Sequence, residues 1–562
     1  MAAPGWFYAR PALLRSGSGL TLAALLVSGL FACSAGESNV ARGNREGILY
    51  YGNGTEPQTI DPHVLSGSPE VAVASAVLEP LLTRNPYTLA IEPGVAERWE
   101  FNEDRTTLTF HLNPAARWSN GDPVTAEDFR WSWQRALSPQ MGNVMADTFF
   151  FIRGAEDFHE GRNDDPASLG VHALDDTTLL VELAYPNPYA LIVLSYIYTA
   201  PVHRPTIEAH GDMTSRYSGW TKPGSFVGNG PFTIDDWKMQ RLVSVTKNPY
   251  YWDRENVALN GIVFRPIENS NTEEKMFRSG QLHATTSIAV TKVPSYRQQP
   301  AKPLVEGPFM GTYYYMINTK RPPLDRLPLR RALALAIDRK TLAQAVLADT
   351  AVASSSYVPL GMPGYAHTDV LDFNPQEARR LLAEAGFPNG AGFPELTLVY
   401  NTLDNHRTIA IAVQQMWKSH LNIEVTIANQ EWRVYLDTLN NRDYDLARMG
   451  WTGDTYPGVF LDKLVSGGGT NRVGFSNVEY DDIILNKVRG TGDEAQLMAL
   501  YQEAEQVLLG ETPLIPIYTY KNKFLAQPSL RGMPSNLAST INWKYIVLDP
   551  EAPAWRWQSA EP

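Results

Sequence analysis

One cysteine in 562 residues limits what can hold this chain together. Cys33 has no partner in the chain, so neither an intrachain disulfide nor a multi-cysteine metal site is available, and a hydrophobic core must carry the fold. Its position adds to the constraint. Residues 1–15 carry Arg10 and Arg15 and no acid, and residues 20–32, LTLAALLVSGLFA, are apolar but too few for an ordinary membrane span. A basic head, a short apolar run and small residues before the break read as a secretory signal, residues 1–33. A cut near Ala35 that discards Cys33 is the other reading of the same stretch. No later segment is long and apolar enough to cross a bilayer, so the expected mature protein is exported and soluble apart from any tether.

The length admits two to four domain-sized units. Hydrophobic residues make up 44% and charged residues 19%, a globular balance. The net charge of −12, with no run of Lys or Arg, argues against a nucleic-acid partner, which needs a basic surface. With 14 Trp, 26 Tyr and 20 Phe, aromatics exceed what a core must use, and the surplus suits a site for varied ligands. Residues 34–47, SAGESNVARGNREG, are polar and small and read as a flexible linker, with the fold starting at ILYYGNG. TLTFHL (107–112) alternates as a strand. In TAEDFRWSWQRAL, Thr125 is an N-cap candidate with Asp128 three positions on. In NPQEARRLLAEAGF, Asn374 caps, Pro375 leads, Glu377 closes a capping box and Gly386 ends the helix. RTIAIAVQQMWKSHL is a second helix, and IEVTI follows with Ile423, Val425 and Ile427 on one strand face. YQEAEQVLLG then TPLIPIYTY repeats helix and strand. The alternation predicts α/β units with mixed sheets.

Signatures of catalysis are missing. There is no H-E-x-x-H, no G-x-S-x-G, no phosphate loop and no G-x-G-x-x-G after a strand, and the ten histidines are scattered. The expectation is a binding protein rather than an enzyme, without cofactor or metal. A secreted peptidase stays as an alternative, because carboxylate pairs leave weak sequence traces.

A series of segments, VAERWEFNEDRTTLTFHLNPAARWSNGDPVTAEDFRWSWQRAL (95–137), EPQTIDPH (56–63), VGNGPFTIDDWK (227–238), KNPYYWD (247–253), TYYYMINTKRPPL (312–324), LVYNTLDNHRTIAIAVQQMWK (398–418), NQEWRVYLDT (429–438) and YDLARMGWTGDTYPG (444–458), resembles the extracytoplasmic peptide-binding proteins of ABC importers. Among the oligopeptide, dipeptide and nickel binders, it is most similar to the oligopeptide branch. The resemblance runs in one order from about residue 47 to about residue 549. It implies a two-lobed hinged clamp of the cluster C type with a small extra domain: lobe I from 48–78, 200–307 and 524–562, the extra domain from 79–199, and lobe II from 308–523. LFAC also resembles the lipobox of bacterial lipoprotein signals, with Cys33 as the lipidated residue. The chain would then sit in the cell envelope, in the periplasm or on the outer membrane face, as a lipid-anchored monomer. It would deliver short peptides to a permease of two membrane subunits with ATPases.

The same resemblance assigns residues. Asp454, three positions after Gly450-Trp451, would hold the peptide's α-ammonium, an end every free peptide offers. Gly450 and Thr452 would offer backbone groups to an extended peptide, and Gly67 and Ser68 would do so from a facing strand of lobe I. Arg448 and His406 match positions that meet the ligand carboxylate; Arg448 as an ion-pair partner of Asp445 and His406 as a plain helix-start residue are the bland readings. Trp432 and Trp451 match pocket walls, with ordinary core as the alternative. Tyr313, Tyr314 and Tyr315 read as strand core near the hinge. Leu439 stands where some of these proteins carry a basic residue, which leaves peptide length open. Murein peptides, dipeptides or a nickel chelate remain alternative ligands, and a surface receptor remains an alternative to import.

Overall fold

The computed structural model describes residues 37–556 apart from 66, 368, 369, 539, 540 and 554. The signal segment and Cys33 lie outside the described residues. Residues 34–47, expected as a flexible linker, instead include a two-turn helix, Asn39–Glu46, capped by the Ser38 hydroxyl and closed by Gly47 at φ 67°. Val40 is wholly buried, and its N–H donates to the Gly280 carbonyl. Composition misled here because the buried side of this helix is Val40, Gly43 and Asn44, with a single large apolar residue to mark it.

Three sheets organise the rest. A four-stranded sheet runs in the order Ile48–Gly52, Gly261–Arg265, Leu242–Lys247, Phe232–Lys238, its first two strands parallel and the others antiparallel. A mixed six-stranded sheet runs Ala351–Ala353, Leu514–Leu525, Leu304–Ile317, Leu446–Thr452, Leu396–Asn401, Val425–Gln430. A third, antiparallel sheet runs Ala96–Phe101, Thr107–Leu112, Thr178–Glu182, Val171–Ala173. Each sheet packs its own core. The first gathers Leu49, Val77, Trp220, Ile262 and Trp543; the six-stranded sheet gathers Tyr315, Leu333, Leu398, Trp417 and Ile515; the third gathers Leu108, Phe129, Trp133 and Val181.

Local chemistry explains the elements. Thr107–Leu112 alternates half-buried and buried residues, as a strand with one packed face must. The Ala126–Leu137 helix starts with a reciprocal capping box between Thr125 and Asp128. Asn374 caps Pro375–Glu384 through the Glu377 N–H, but the Glu377 carboxylate turns to Arg380, so no box closes.

Two long strands tie the first sheet's body to the six-stranded sheet. Leu304–Ile317 and Leu514–Leu525 pair antiparallel from Leu304↔Leu525 to Met316↔Leu514, with a register shift between Pro308 and Thr312. Their outer ends are tied to the first body: Thr285 N–H donates to the Leu525 carbonyl, and Leu525 N–H donates to the Thr285 hydroxyl at 2.9 Å.

Candidate functional site

The strand Leu446–Thr452 has one closed edge and one open edge. It pairs with Leu304–Ile317 along its length, from Ile317↔Leu446 to Gly311↔Thr452. Its other neighbour, Leu396–Asn401, meets it only at Leu446 and Ala447. Two hydrogen bonds at its ends set the facing of the backbone: Asn318 N–H to the Asp445 carbonyl at 3.0 Å, and Gly453 N–H to the Met310 carbonyl at 2.9 Å. Odd-numbered residues therefore turn their backbone groups to the Leu304–Ile317 strand. Arg448, Gly450 and Thr452 turn theirs to the open edge. The Arg448 carbonyl accepts there from the Tyr435 hydroxyl. Gly450 and Thr452 thus present N–H and C=O where another strand could add.

Arg448 stands on the face of the sheet that carries Tyr313, Tyr518 and Tyr520. Its guanidinium donates to the Tyr520 hydroxyl at 2.6 Å and to Asn401 Oδ1 at 3.3 Å, and lies 4.7 Å from the centre of the Tyr313 ring. Its Nε has no hydrogen-bond partner. Among the described residues no carboxylate pairs with it. Asp445, the partner considered from sequence, accepts from Thr397 N–H and lies 3.4 Å from Arg321 instead. Glycine is required beside it: a Cβ on Gly450 would fall 2.3 Å from the Tyr520 hydroxyl and 3.0 Å from Arg448 Nη2, and one on Gly311 would fall 3.0 Å from the Tyr520 ring. The two glycines let Tyr520 lie across the sheet and hold Arg448.

The His406 ring lies 5.6 Å from that of Tyr313. It sits in the first turn of the Asp404–Leu421 helix, buried, with Nδ1 unpartnered. Burial, then the charge of Arg448, push its pKa well below 6.5. It is neutral at pH 7 and offers a hydrogen bond, not the second cation that the sequence suggested. Trp432, 36% exposed, stacks on Tyr435 beside this group. Trp451 lies elsewhere. With Met449 it faces the opposite side of the sheet, lining a small cavity with Tyr314, Tyr357 and Met316, its indole N–H bonded to the Val459 carbonyl. Tyr313 and Tyr315 are wholly buried in strand, and Leu439 is wholly buried.

Asp454 follows the same strand and is buried. Thr455 gives its Oδ1 a backbone N–H at 2.6 Å and a hydroxyl at 3.2 Å. Its Oδ2 receives the Arg84 guanidinium, in an ion pair whose side chains are only 5% and 6% exposed. Arg84 ends the strand Leu82–Arg84, and its Nε and Nη2 both donate to the Leu89 carbonyl of the same hairpin. Leu89 adopts φ 60°, a left-handed turn unusual for a side chain with a Cβ. Sequence reading missed Arg84: it lies 370 positions from Asp454 with no motif around it. Gly67 and Ser68 do not form a facing strand. Gly67 is the extended N-cap, and Ser68 the first residue, of the helix Ser68–Val77, with Pro69 as the overlooked start signal.

Further contacts join the third sheet's core, which includes Leu82, Phe149 and Ala155, to the six-stranded sheet's core, which includes Phe460, Leu464 and Val488. Lys463 pairs with Asp147, Arg489 bonds Glu156 at 3.0 Å, and Tyr189 stacks on Tyr456 at 4.4 Å.

Residues 90–472 match the model of the bacterial extracellular solute-binding proteins, family 5. The periplasmic oligopeptide-binding protein OppA of Escherichia coli K12 is 34% identical over 494 residues, covering 86% of this chain and 89% of that one. The structure of Haemophilus influenzae OppA in complex with RPPGFSPFR aligns with a TM-score of 0.83 at 30% identity, covering 90% of this chain and 99% of the other. The E. coli murein tripeptide binding protein MppA gives 0.83 at 31% identity over 89% and 98%, whereas its unliganded open form gives 0.67 at 31% over 90% and 97%. At the same identity, this chain is thus more similar to the first of the two MppA structures than to the open one. The two lobes of this clamp stand apart from the open arrangement.

Proposed function

Because the chain belongs to the family 5 bacterial extracellular solute-binding proteins, we propose that it captures short peptides in extended form between its two lobes and delivers them to the membrane permease of an ABC importer. The observation that carries this reading is the open edge at Gly450 and Thr452, with a cation lacking an anion at one end and a buried carboxylate at the other. A peptide main chain adds as a strand there, which reads no side chain. Its carboxylate goes to Arg448, with a neutral N–H from His406, and its amino end lies toward Asp454. The peptide then runs antiparallel to Leu446–Thr452. Six positions separate Arg448 from Asp454, about 20 Å of extended chain, so a peptide reaching both has at most about six residues. Trp432 walls the Arg448 end. Lipidation at Cys33, a monomeric state and capture without cleavage belong to the same reading.

The test uses protein unfolded and refolded to shed carried ligand. Peptides of two to six residues, with a free or an amidated carboxyl end, are added during thermal unfolding. A ligand at a hundredfold over its dissociation constant stabilises by about 2.7 kcal/mol. Free peptides should raise Tm and amidated ones should do so much less, and Arg448→Met should remove the difference. Recovered peptides should be intact. If no peptide shifts Tm, the reading is wrong.

A further inference from the structure

Arg84 stands where a ligand's ammonium would stand. Its guanidinium takes Asp454 Oδ2 while Thr455 takes Oδ1, so both carboxylate oxygens are engaged by the protein's own groups. The arginine is not a stray surface side chain. Its own hairpin grips it twice through the Leu89 carbonyl, and the hairpin is braced at its tip, where the Asn536 side chain donates to the Pro86 carbonyl at 3.0 Å. Asn85 folds that tip by accepting from the N–H groups of Tyr87 and Thr88. Pair and brace are buried together, so Asp454 meets a held partner and not a mobile one.

We propose that Arg84 is a specificity-determining residue: by neutralising Asp454 it opens the cleft to peptides whose amino end carries no charge. The proposal deepens the peptide-capture reading and rests on it. An unpaired buried carboxylate demands a cation, and would reject a blocked amino end. A carboxylate already paired makes no such demand. A free ammonium brought beside Arg84 meets a like charge, which cancels most of what Asp454 would give it. Recognition at this end then falls to the main chain and the fit of the first residue, and charge selection is left to Arg448.

The experiment measures dissociation constants of tri- and tetra-alanine, each with a free or an N-acetylated amino end, by calorimetry on refolded protein. The wild type should bind the two forms within about threefold of each other, whereas Arg84→Met should favour the free form by roughly tenfold or more. Arg84→Met with Asp454→Asn should return the ratio to near one, and its melting curve checks that the fold survives. The wild-type ratio needs no variant at all. A wild type that prefers the free form by roughly tenfold, unchanged in Arg84→Met, overturns the proposal and leaves peptide capture standing. The same holds if the double variant keeps the tenfold preference. Binding of neither form by any of the proteins overturns both.

Discussion

Gly450 is set by a tyrosine two strands away. Tyr520 reaches across Gly311 and Gly450 to hold Arg448, and there is no space for a methyl group under its hydroxyl. Gly450→Ala must push Tyr520 and Arg448 apart. Overpacking of this kind costs about 1–3 kcal/mol of fit, here borne by a partly exposed side chain and therefore at the low end for stability. Binding should suffer more: affinity for peptides with a free carboxyl end should fall by roughly tenfold while amidated peptides change little, checked by calorimetry on both. An equal loss for both would mean that the glycine serves the strand edge and not the cation. His406 enters differently. Its neutral ring cannot add charge, so His406→Gln, which keeps a donor, should be milder than Arg448→Met on the same measurement.

At the scale of the element, the deciding object is half a strand without a neighbour. A peptide that adds to Gly450 and Thr452 must offer its own N–H and C=O at alternate positions. N-methylation of a backbone nitrogen facing that edge should weaken binding by about tenfold, whereas methylation one residue along, facing away, should not. A calorimetric scan of singly methylated tetra-alanines reads this alternation directly, and a flat scan would rule out strand addition. The elements that sequence could foresee are those with a chemical mark at their ends. Thr125 with Asp128, and Asn374 with Pro375, announced their helices by their caps. The helix Asn39–Glu46 carries end marks in Ser38 and Gly47 but lacks a periodic apolar face, since glycine and asparagine fill most of its buried side. Asp454, Arg448 and His406 could be singled out as candidates from sequence because one ordered series of motifs contains them. Arg84 and Tyr520 were not, because they act through contacts made by the fold across 370 and 72 positions. Trp451, expected as a pocket wall, lines a small cavity on the face of the strand opposite Arg448, because a strand alternates its faces.

The whole molecule buries ionisable groups of both kinds, and they pull stability in opposite directions with pH. Burial raises the carboxyls of Glu79 and Glu273 to about 7 and that of Asp462 to about 6. These take up protons in the folded state before they do in the unfolded one, so stability rises as pH falls from 8 toward 6. Burial lowers His63 to about 3 and His283 to about 4. These stay neutral in the fold while the unfolded chain charges them below pH 6.5, so each opposes the carboxyl gain by up to about 1.4 kcal/mol per pH unit, and the loss dominates only below about pH 4.5, where the unfolded carboxyls are protonated as well. Tm should therefore be higher at pH 6 than at pH 8, change little between about pH 6 and 4.5, where the two sets offset each other, and fall below that in the same buffer series. A Tm that climbs steadily to pH 8 would contradict the raised carboxyls. The lobes stand apart from the open arrangement, joined by Arg84–Asp454, Lys463–Asp147 and Arg489–Glu156. For a carrier, shutting is ordinarily news that cargo is aboard, because the shut form leaves a naked acid to anyone without it. On the proposal above, a resident arginine would answer for the passenger. If Arg84 neutralises Asp454 as proposed, shutting would not require cargo, and an observer who counts shut molecules would overcount the loaded ones.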